Sequence, residues 1–512
     1  MGGGSFVTYW KRNRLTPLVA GPLAAVLIIL LTDLEPGNRA VTFMAAIALW
    51  MAIWWITEAV PLAVTALLPV ALFPIFGIMT GKQVAPLYFN SIIFLFIGGF
   101  IIALAMQRWN LHKRIALYII RLVGLSASRL VLGFMVATAF LSMWISNTAT
   151  TMMMVPIALA VIIKLEESAA AADQAGAKRF SVGLLLAIAY SASIGGIATL
   201  VGTPPNLSFA RIFTISFEQA PEISFTQWIV FALPLTIIML TFAWLYLTRV
   251  FATRRAAGEI DRGVFNRELR ALGPMGREER GVLVVFALTA LLWLTRSDLT
   301  LGQLELTGWA TRLGLAGLVD DGTVAIVMAI SLFVIPAGDG GRLMRWGDTL
   351  KLPWGIVLLF GGGFALASGF KESGLSMWCG DQLAGIGALN PVLIVLIVCL
   401  LITFLTELTS NTATTEMILP ILAATAVAIN LNPLLLMVPA TLSASCAFML
   451  PVATPPNAIV FGSDRITVAQ MARTGLVLNL VGAVLITLVV FTLGRLVLQI
   501  DLGAMPVWAL GQ

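Results

Sequence analysis

The hexapeptide Ser146-Asn147-Thr148-Ala149-Thr150-Thr151 returns 264 positions later as Ser410-Asn411-Thr412-Ala413-Thr414-Thr415. Each copy is followed by Thr-Pro-Pro-Asn, at 203–206 and at 454–457. Paired prolines stop a helix, because they remove two backbone donors. In a chain made mostly of membrane-spanning segments, helix-breaking polar clusters at corresponding places of two halves point to a ligand site at a repeat interface.

The membrane setting follows from composition. Of 512 residues, 59% are hydrophobic and 11% charged, and the mean hydropathy is +0.97, outside the range of water-soluble domains. Apolar runs at 15–32, 40–57, 61–79, 227–249 and 475–498 approach or reach the roughly 20 residues that span a hydrocarbon core. The run at 15–32 follows Lys11, Arg12 and Arg14 but shows no small-residue cleavage site, and reads as a retained first helix. The net charge of +6 is spread over short loops, which speaks against nucleic acid. Cys379, Cys399 and Cys446 each lie in or beside an apolar segment without CxxC spacing, and are expected to be packed thiols rather than metal ligands or a disulfide.

The repeat extends beyond the hexapeptide. Leu95-Phe96-Ile97-Gly98-Gly99-Phe100 matches Leu359-Phe360-Gly361-Gly362-Gly363-Phe364, again 264 positions on. At Thr-Pro-Pro-Asn the offset falls to 251, after a longer polar insert around Glu166 to Arg179 in the first half. Each unit is expected to hold a Gly-interrupted helix (91–108; 354–370) and a surface stretch (110–128; 372–388). A polar-tipped apolar pair (130–164; 391–428) and a helix broken at Thr-Pro-Pro-Asn (183–206 onward; 434–457 onward) complete it. The arms 130–145 and 149–164 have 16 residues each, about 24 Å if helical. That length suits a re-entrant hairpin with Ser-Asn-Thr at its tip; two short spans with an outer polar loop are the alternative.

Basic residues test the hairpin, because they gather in cytoplasmic loops. With the N-terminus inside, four spans return the chain to the cytoplasm at 110–129, with Lys113, Arg114, Arg121 and Arg129. A hairpin then leaves Lys164, Lys178 and Arg179 on that same side, and two further spans reach eight arginines at 249–281. Spans 282–296 and 322–336 lead to Arg342, Arg345 and Lys351, and span 354–370 exits. The second hairpin therefore enters from the opposite face, which makes the repeats inverted. The expected fold is all-α, with 11 full spans, two opposed re-entrant hairpins and an external C-terminus.

Ser, Asn and Thr supply neutral oxygens, and a broken helix exposes carbonyls at its C-terminal end, which together suit a desolvated alkali cation. The N–H groups of the next helix start favour an anion. Thr203, Thr454, Asn206 and Asn457 add polar side chains at the breaks.

These residues resemble the divalent-anion:Na⁺ symporter (DASS) family of dicarboxylate, tricarboxylate and sulfate carriers, over nearly the whole chain. The resemblance implies a homodimer in the cell (inner) membrane, with scaffold and transport domains and an elevator movement. It divides the chain into scaffold helices (1–90), transport half 1 (91–226), scaffold helices with a cytoplasmic loop (227–353, loop 249–281), transport half 2 (354–473) and a C-terminal helix (474–512). One sodium site would use Ser142, Ser146, Asn147 and the backbone at Gly202; the other Thr406, Ser410, Asn411 and the backbone at Ala453. Substrate carboxylates would meet Asn147, Thr148, Ser410, Asn411 and Thr412, with Thr203, Pro204, Thr454 and Pro455 close by.

Several residues invite other readings. Glu407 and Glu416 flank the second motif where the first half has Met143 and Met152; intramembrane carboxylates are functional candidates, but a structural hydrogen bond or water contact is expected ahead of proton coupling. His112 is expected to be solvated or at a headgroup, and Glu58 to cap a helix break or face the dimer interface. Trp50, Trp54 and Trp55 are expected as lipid-facing or interfacial anchors.

The leading function is a sodium-coupled symporter importing C4-dicarboxylates such as succinate, malate or fumarate, with a sodium-independent exchanger of the same fold as the alternative. Tartrate, citrate and sulfate present similar oxygens. An intramembrane enzyme is disfavoured: the sole histidine lies away from any nucleophile, and GxSxG and HExxH are missing.

Overall fold

The computed structural model describes residues 15–124, 126–168, 174–251, 263–302, 304–338 and 340–510. Lys11, Arg12, Arg14, Arg254, Arg255 and Arg262 lie outside them. The described chain is almost wholly helical, apart from one antiparallel pair, Leu299–Leu301 with Leu304–Leu306. Among the described residues seven helices are long and apolar enough to cross a membrane, and six apolar helices are shorter. Leucines such as Leu15, Leu30 and Leu31 remain exposed on the outer surface, the surface that lipid covers in a multi-pass membrane protein.

Both polar-tipped pairs are helix-turn-helix elements. The first hairpin is Ala127–Ser142 and Asn147–Ser168; the second is Pro391–Thr406 and Asn411–Ala428. The first arms have 16 residues each, that of the first hairpin three positions earlier than the expected 130–145; the second arms have 22 and 18, starting at Asn147 and Asn411 themselves, and the first of them runs on to Ser168. Pro156 and Pro420 sit at equivalent places inside those second arms; each removes a donor and frees the carbonyl four residues earlier.

The broken helices form as Gln174–Ile197 with Pro204–Ser216, and Leu434–Ala444 with Pro455–Phe461. Each second piece starts at a proline, where a missing N–H costs nothing. The halves interlock. The second arm of the first hairpin packs on Pro455–Phe461, and that of the second hairpin packs on Pro204–Ser216.

Three expectations need correction. The Gly-rich helices are not interrupted: Ser91–Arg108 and Trp354–Ser373 are continuous. Their glycines instead permit close packing. A Cβ at Gly98 would lie 2.6 Å from the Ala325 backbone, and one at Gly362 2.6 Å from that of Ala66. The run 61–79 forms two short helices, Leu62–Thr65 and Leu68–Ile75, with Pro69 in the first turn of the second, where its missing N–H is tolerated. Trp55 is no lipid anchor either: it is buried and donates to the Leu62 carbonyl at 3.1 Å, while Trp54 reaches the Leu18 carbonyl at 3.2 Å.

The surface stretch after Ser91–Arg108 is an amphipathic helix, Leu111–Val123. Arg114 on its buried face pairs with Glu279 at 2.6 Å rather than with solvent. His112 is half-buried and bonds the Met106 carbonyl at 3.0 Å, and Glu58 is the left-handed C-cap of Arg39–Thr57. All three cysteines are free thiols.

Replacing Gly98 by Ala should push Ser91–Arg108 off Asp321–Val334 and destabilise the protein by about 1–3 kcal/mol. Thermal unfolding in detergent checks this against Gly347→Ala, whose added Cβ meets nothing within 4 Å. Equal unfolding temperatures for the two variants would refute the close-packing role.

Candidate functional site

Each half builds the same small oxygen cluster. In the first, the buried Ser142 hydroxyl donates to Asn147 Oδ1 at 2.5 Å and lies 2.7 Å from the Ala192 carbonyl. In the second, Thr406 donates to Asn411 Oδ1 at 2.6 Å and lies 3.0 Å from the Ala444 carbonyl. The hydroxyl closes the first arm of the hairpin and the amide opens the second, so the four-residue turns 143–146 and 407–410 are tied at their bases. Thr151 and Thr415 repeat a further bond, each 2.8 Å from the carbonyl of its motif asparagine.

The break loops are held from the other side. Asn206 Nδ2 donates to the carbonyls of Gly196, Ile197 and Thr199 at 3.3, 3.2 and 2.7 Å. Asn457 Nδ2 does the same for Ala447 and Leu450 at 3.2 and 3.0 Å. Both asparagines are fully buried, and stranded carbonyls there would each cost about 1–3 kcal/mol. The second asparagine of the sequence pattern thus staples the break rather than facing the cluster. Thr203 and Thr454 stand at the N-cap of the following helix, Thr454 accepting from the Asn457 N–H at 3.3 Å.

Gly196 brings the first loop against the first tip. A Cβ at this glycine would lie 2.7 Å from Asn147 Oδ1 and 3.1 Å from the Gly202 carbonyl. Two neutral oxygens therefore crowd a space a methyl group would fill, beside Ser142. This donor set of hydroxyl, amide and carbonyl oxygens suits a hard, desolvated monovalent cation. The second tip has the matching Thr406–Asn411 pair, and Ala453 is buried beside Thr454. Ser146, Asn147, Thr148, Ser410 and Asn411 are partly exposed, whereas Thr412 is buried; Pro204 is partly exposed and Pro455 exposed. The helix starts at Asn147 and Asn411 carry the first-turn N–H groups that favour an anion, whereas those at Pro204 and Pro455 begin with two residues that have no N–H.

The halves differ in how loop meets tip. In the first, Thr199 donates its hydroxyl to the Met143 carbonyl at 2.5 Å. In the second, Glu407 stands at the place of Met143 and accepts from the backbone N–H groups of Phe448, Met449 and Leu450 at 2.7, 2.9 and 2.9 Å. Asn479 Nδ2 adds a fourth bond at 2.7 Å. Four donors on one carboxyl group are what an ionised carboxylate needs, and they tie Glu407 to the loop. Sequence alone missed Asn479, because nothing local marks it, and it missed Ser208 and Arg211 on the second piece of the first broken helix. Arg211 is half-buried, with its Nε enclosed and lacking a hydrogen-bond partner. It follows Pro204 by seven residues, on the same helix face.

Exchanging Glu407 for Gln converts an acceptor of four bonds into a group with one acceptor oxygen, so donors of the loop are stranded. The expected loss is about 1–3 kcal/mol, read as a lower unfolding temperature. An unchanged temperature would show that the carboxylate does not hold the loop.

The geometry has counterparts among known proteins. Residues 13–500 match the family model of the sodium:sulfate symporter transmembrane region. The sodium-dependent dicarboxylate transporter SdcS of Staphylococcus aureus strain RF122 is 46% identical over 500 residues, covering 96% of this chain and 94% of its own. SdcS of strain NCTC 8325 gives the same figures. Two solved structures share the fold at low identity. MtrF of Neisseria gonorrhoeae superposes with a TM-score of 0.56 at 12% identity, over 95% of this chain and all of that one. The YdaH transporter of Alcanivorax borkumensis gives 0.54 at 14%, over 81% of this chain and 90% of its own. The chain is a multi-pass membrane transporter and not an enzyme, and it belongs to the sodium:sulfate symporter family, the divalent-anion:Na⁺ symporters.

Proposed function

We propose that this protein imports divalent anions, C4-dicarboxylates such as succinate, malate and fumarate foremost, in symport with Na⁺. The observation that carries the reading is the doubled cluster, Ser142–Asn147 and Thr406–Asn411, each tied to a broken helix of its own half. The name of the Staphylococcus aureus relatives supports both the sodium and the dicarboxylate.

In this reading one Na⁺ sits among Ser142, Ser146, Asn147 and the Gly202 carbonyl, and a second among Thr406, Ser410, Asn411 and the Ala453 carbonyl. The cations stand directly behind the helix starts. Their charge and the free N–H groups draw one carboxylate to Asn147 and Thr148 and the other to Ser410, Asn411 and Thr412. Thr203, Pro204, Thr454 and Pro455 line the same space. Coupling follows because the asparagine that completes a cation shell also faces the anion. An empty shell leaves both misplaced.

The basic loops put the N-terminus in the cytoplasm and the C-terminus outside, and the hairpins in opposite leaflets. Two such units, moving as a transport domain against the scaffold helices of a homodimer, would give elevator-type access from each side. The half-buried, unpaired Arg211 stands on the open face beyond Pro204 and would draw the anion toward the tips.

Reconstitution into liposomes tests the function. An inward Na⁺ gradient should drive succinate accumulation that K⁺ does not support. Robust exchange of internal for external succinate, indifferent to external Na⁺, would instead make the protein an exchanger. Asn147→Ala and Asn411→Ala should each reduce uptake by 10²-fold or more, on the order of 3 kcal/mol, while leaving folded protein. Gly196→Ala, which places a methyl group 2.7 Å from Asn147 Oδ1, should raise the Na⁺ concentration for half-maximal uptake at least about tenfold. Near-normal transport by either asparagine variant would contradict the site.

A further inference from the structure

Glu416 is the second buried carboxyl of the second hairpin, and its surroundings differ from those of Glu407. It lies on Asn411–Ala428, five residues after Asn411, and has no solvent exposure. Its Oε1 is hydrogen-bonded to the Ser208 hydroxyl across the seam between the halves, at 2.5 Å. Its Oε2 is buried and meets no donor. The carboxyl group presses on Trp354–Ser373 at Gly363, where a Cβ would come within 1.6 Å of Oε2. Glycine is required there by the carboxyl itself.

Among the described residues Glu416 has no counter-ion. Pro204–Ser216 carries Arg211, Trp354–Ser373 carries Lys371 and Glu372, Leu375–Leu383 carries Asp381, and Arg39–Thr57 carries Arg39. Lys371 is engaged by Glu218 at 2.7 Å, and none of the others bonds Glu416. Leu434–Ala444 and Pro391–Thr406 bring no charged side chain. Glu407 shows what this core supplies to a carboxylate that is ionised, namely four donors. Glu416 has one hydroxyl. A buried charge with a single neutral partner is far costlier than a buried neutral acid, which needs only one partner for its O–H.

We propose that Glu416 is a proton-binding site of the transport core, held as the neutral acid in its hydrogen bond with the Ser208 hydroxyl. The proton lets elements of opposite halves close on each other. Resting on the anion-carrier reading, it also keeps a third negative charge from the dicarboxylate, since Thr412 lies four residues away, about 6 Å along the helix. The first half needs no such proton, because exposed Met152 stands at the equivalent position.

The test uses the full-length purified protein and Glu416→Gln, whose amide reproduces the neutral acid in shape. At neutral pH the infrared spectrum of the wild type should contain a protonated-carboxyl C=O band that the variant lacks. The variant should fold, and its KM for succinate should stay within about twofold of wild type. Identical spectra would overturn the proposal. So would a variant that fails to fold, or one that folds and loses about tenfold or more of its uptake while Glu416→Asp retains it. The infrared measurement needs no substrate, so a failure of succinate transport in the wild type sinks the carrier reading and leaves the proton site to stand or fall separately.

Discussion

A chain that interrupts two helices inside an apolar bundle must satisfy the freed backbone groups with its own atoms, since no lipid will. Asn206 and Asn457 meet that demand. Each side-chain amide gathers the carbonyls released by one break, at 2.7 to 3.3 Å. The remaining geometry follows from those staples. They fix the loop carrying Gly202 or Ala453, place the Thr-Pro-Pro turn at the start of the next helix, and leave the side-chain oxygens of Asn147 and Asn411 to the Ser142 and Thr406 hydroxyls.

The halves keep this frame while changing the chemistry that supports it. A threonine hydroxyl donating to a turn carbonyl in the first half corresponds to a carboxylate accepting three backbone N–H groups in the second. Between Ala192 and Asn206 the first half carries one residue more than the second does between Ala444 and Asn457, yet the bonds at both ends are matched. The anchors are preserved and the path between them drifts.

The hexapeptides, the proline pairs and the 16-residue first arms were legible in the sequence because their signals are local: a broken periodicity, a missing donor, a length too short to span. Membership of the family was legible for the same reason. What failed to show depends on partners distant in the chain. Glycines at 98 and 362 looked like interruptions, but they are the places where Ala325 and Ala66 come closest. Trp55 carries the composition of a lipid anchor, yet it is claimed by a carbonyl seven residues on. Glu407 and Glu416 looked alike until four donors were found on one and a single hydroxyl on the other.

The most direct test of the paired-tip account is the Na⁺:succinate coupling ratio, read as the Na⁺ gradient that just holds a known succinate gradient at zero net flux in proteoliposomes clamped at zero membrane potential. The account predicts at least two Na⁺ per anion, with one fewer in Ser142→Ala and one fewer in Thr406→Ala. A wild-type ratio below two, or ratios unmoved by both substitutions, would contradict it.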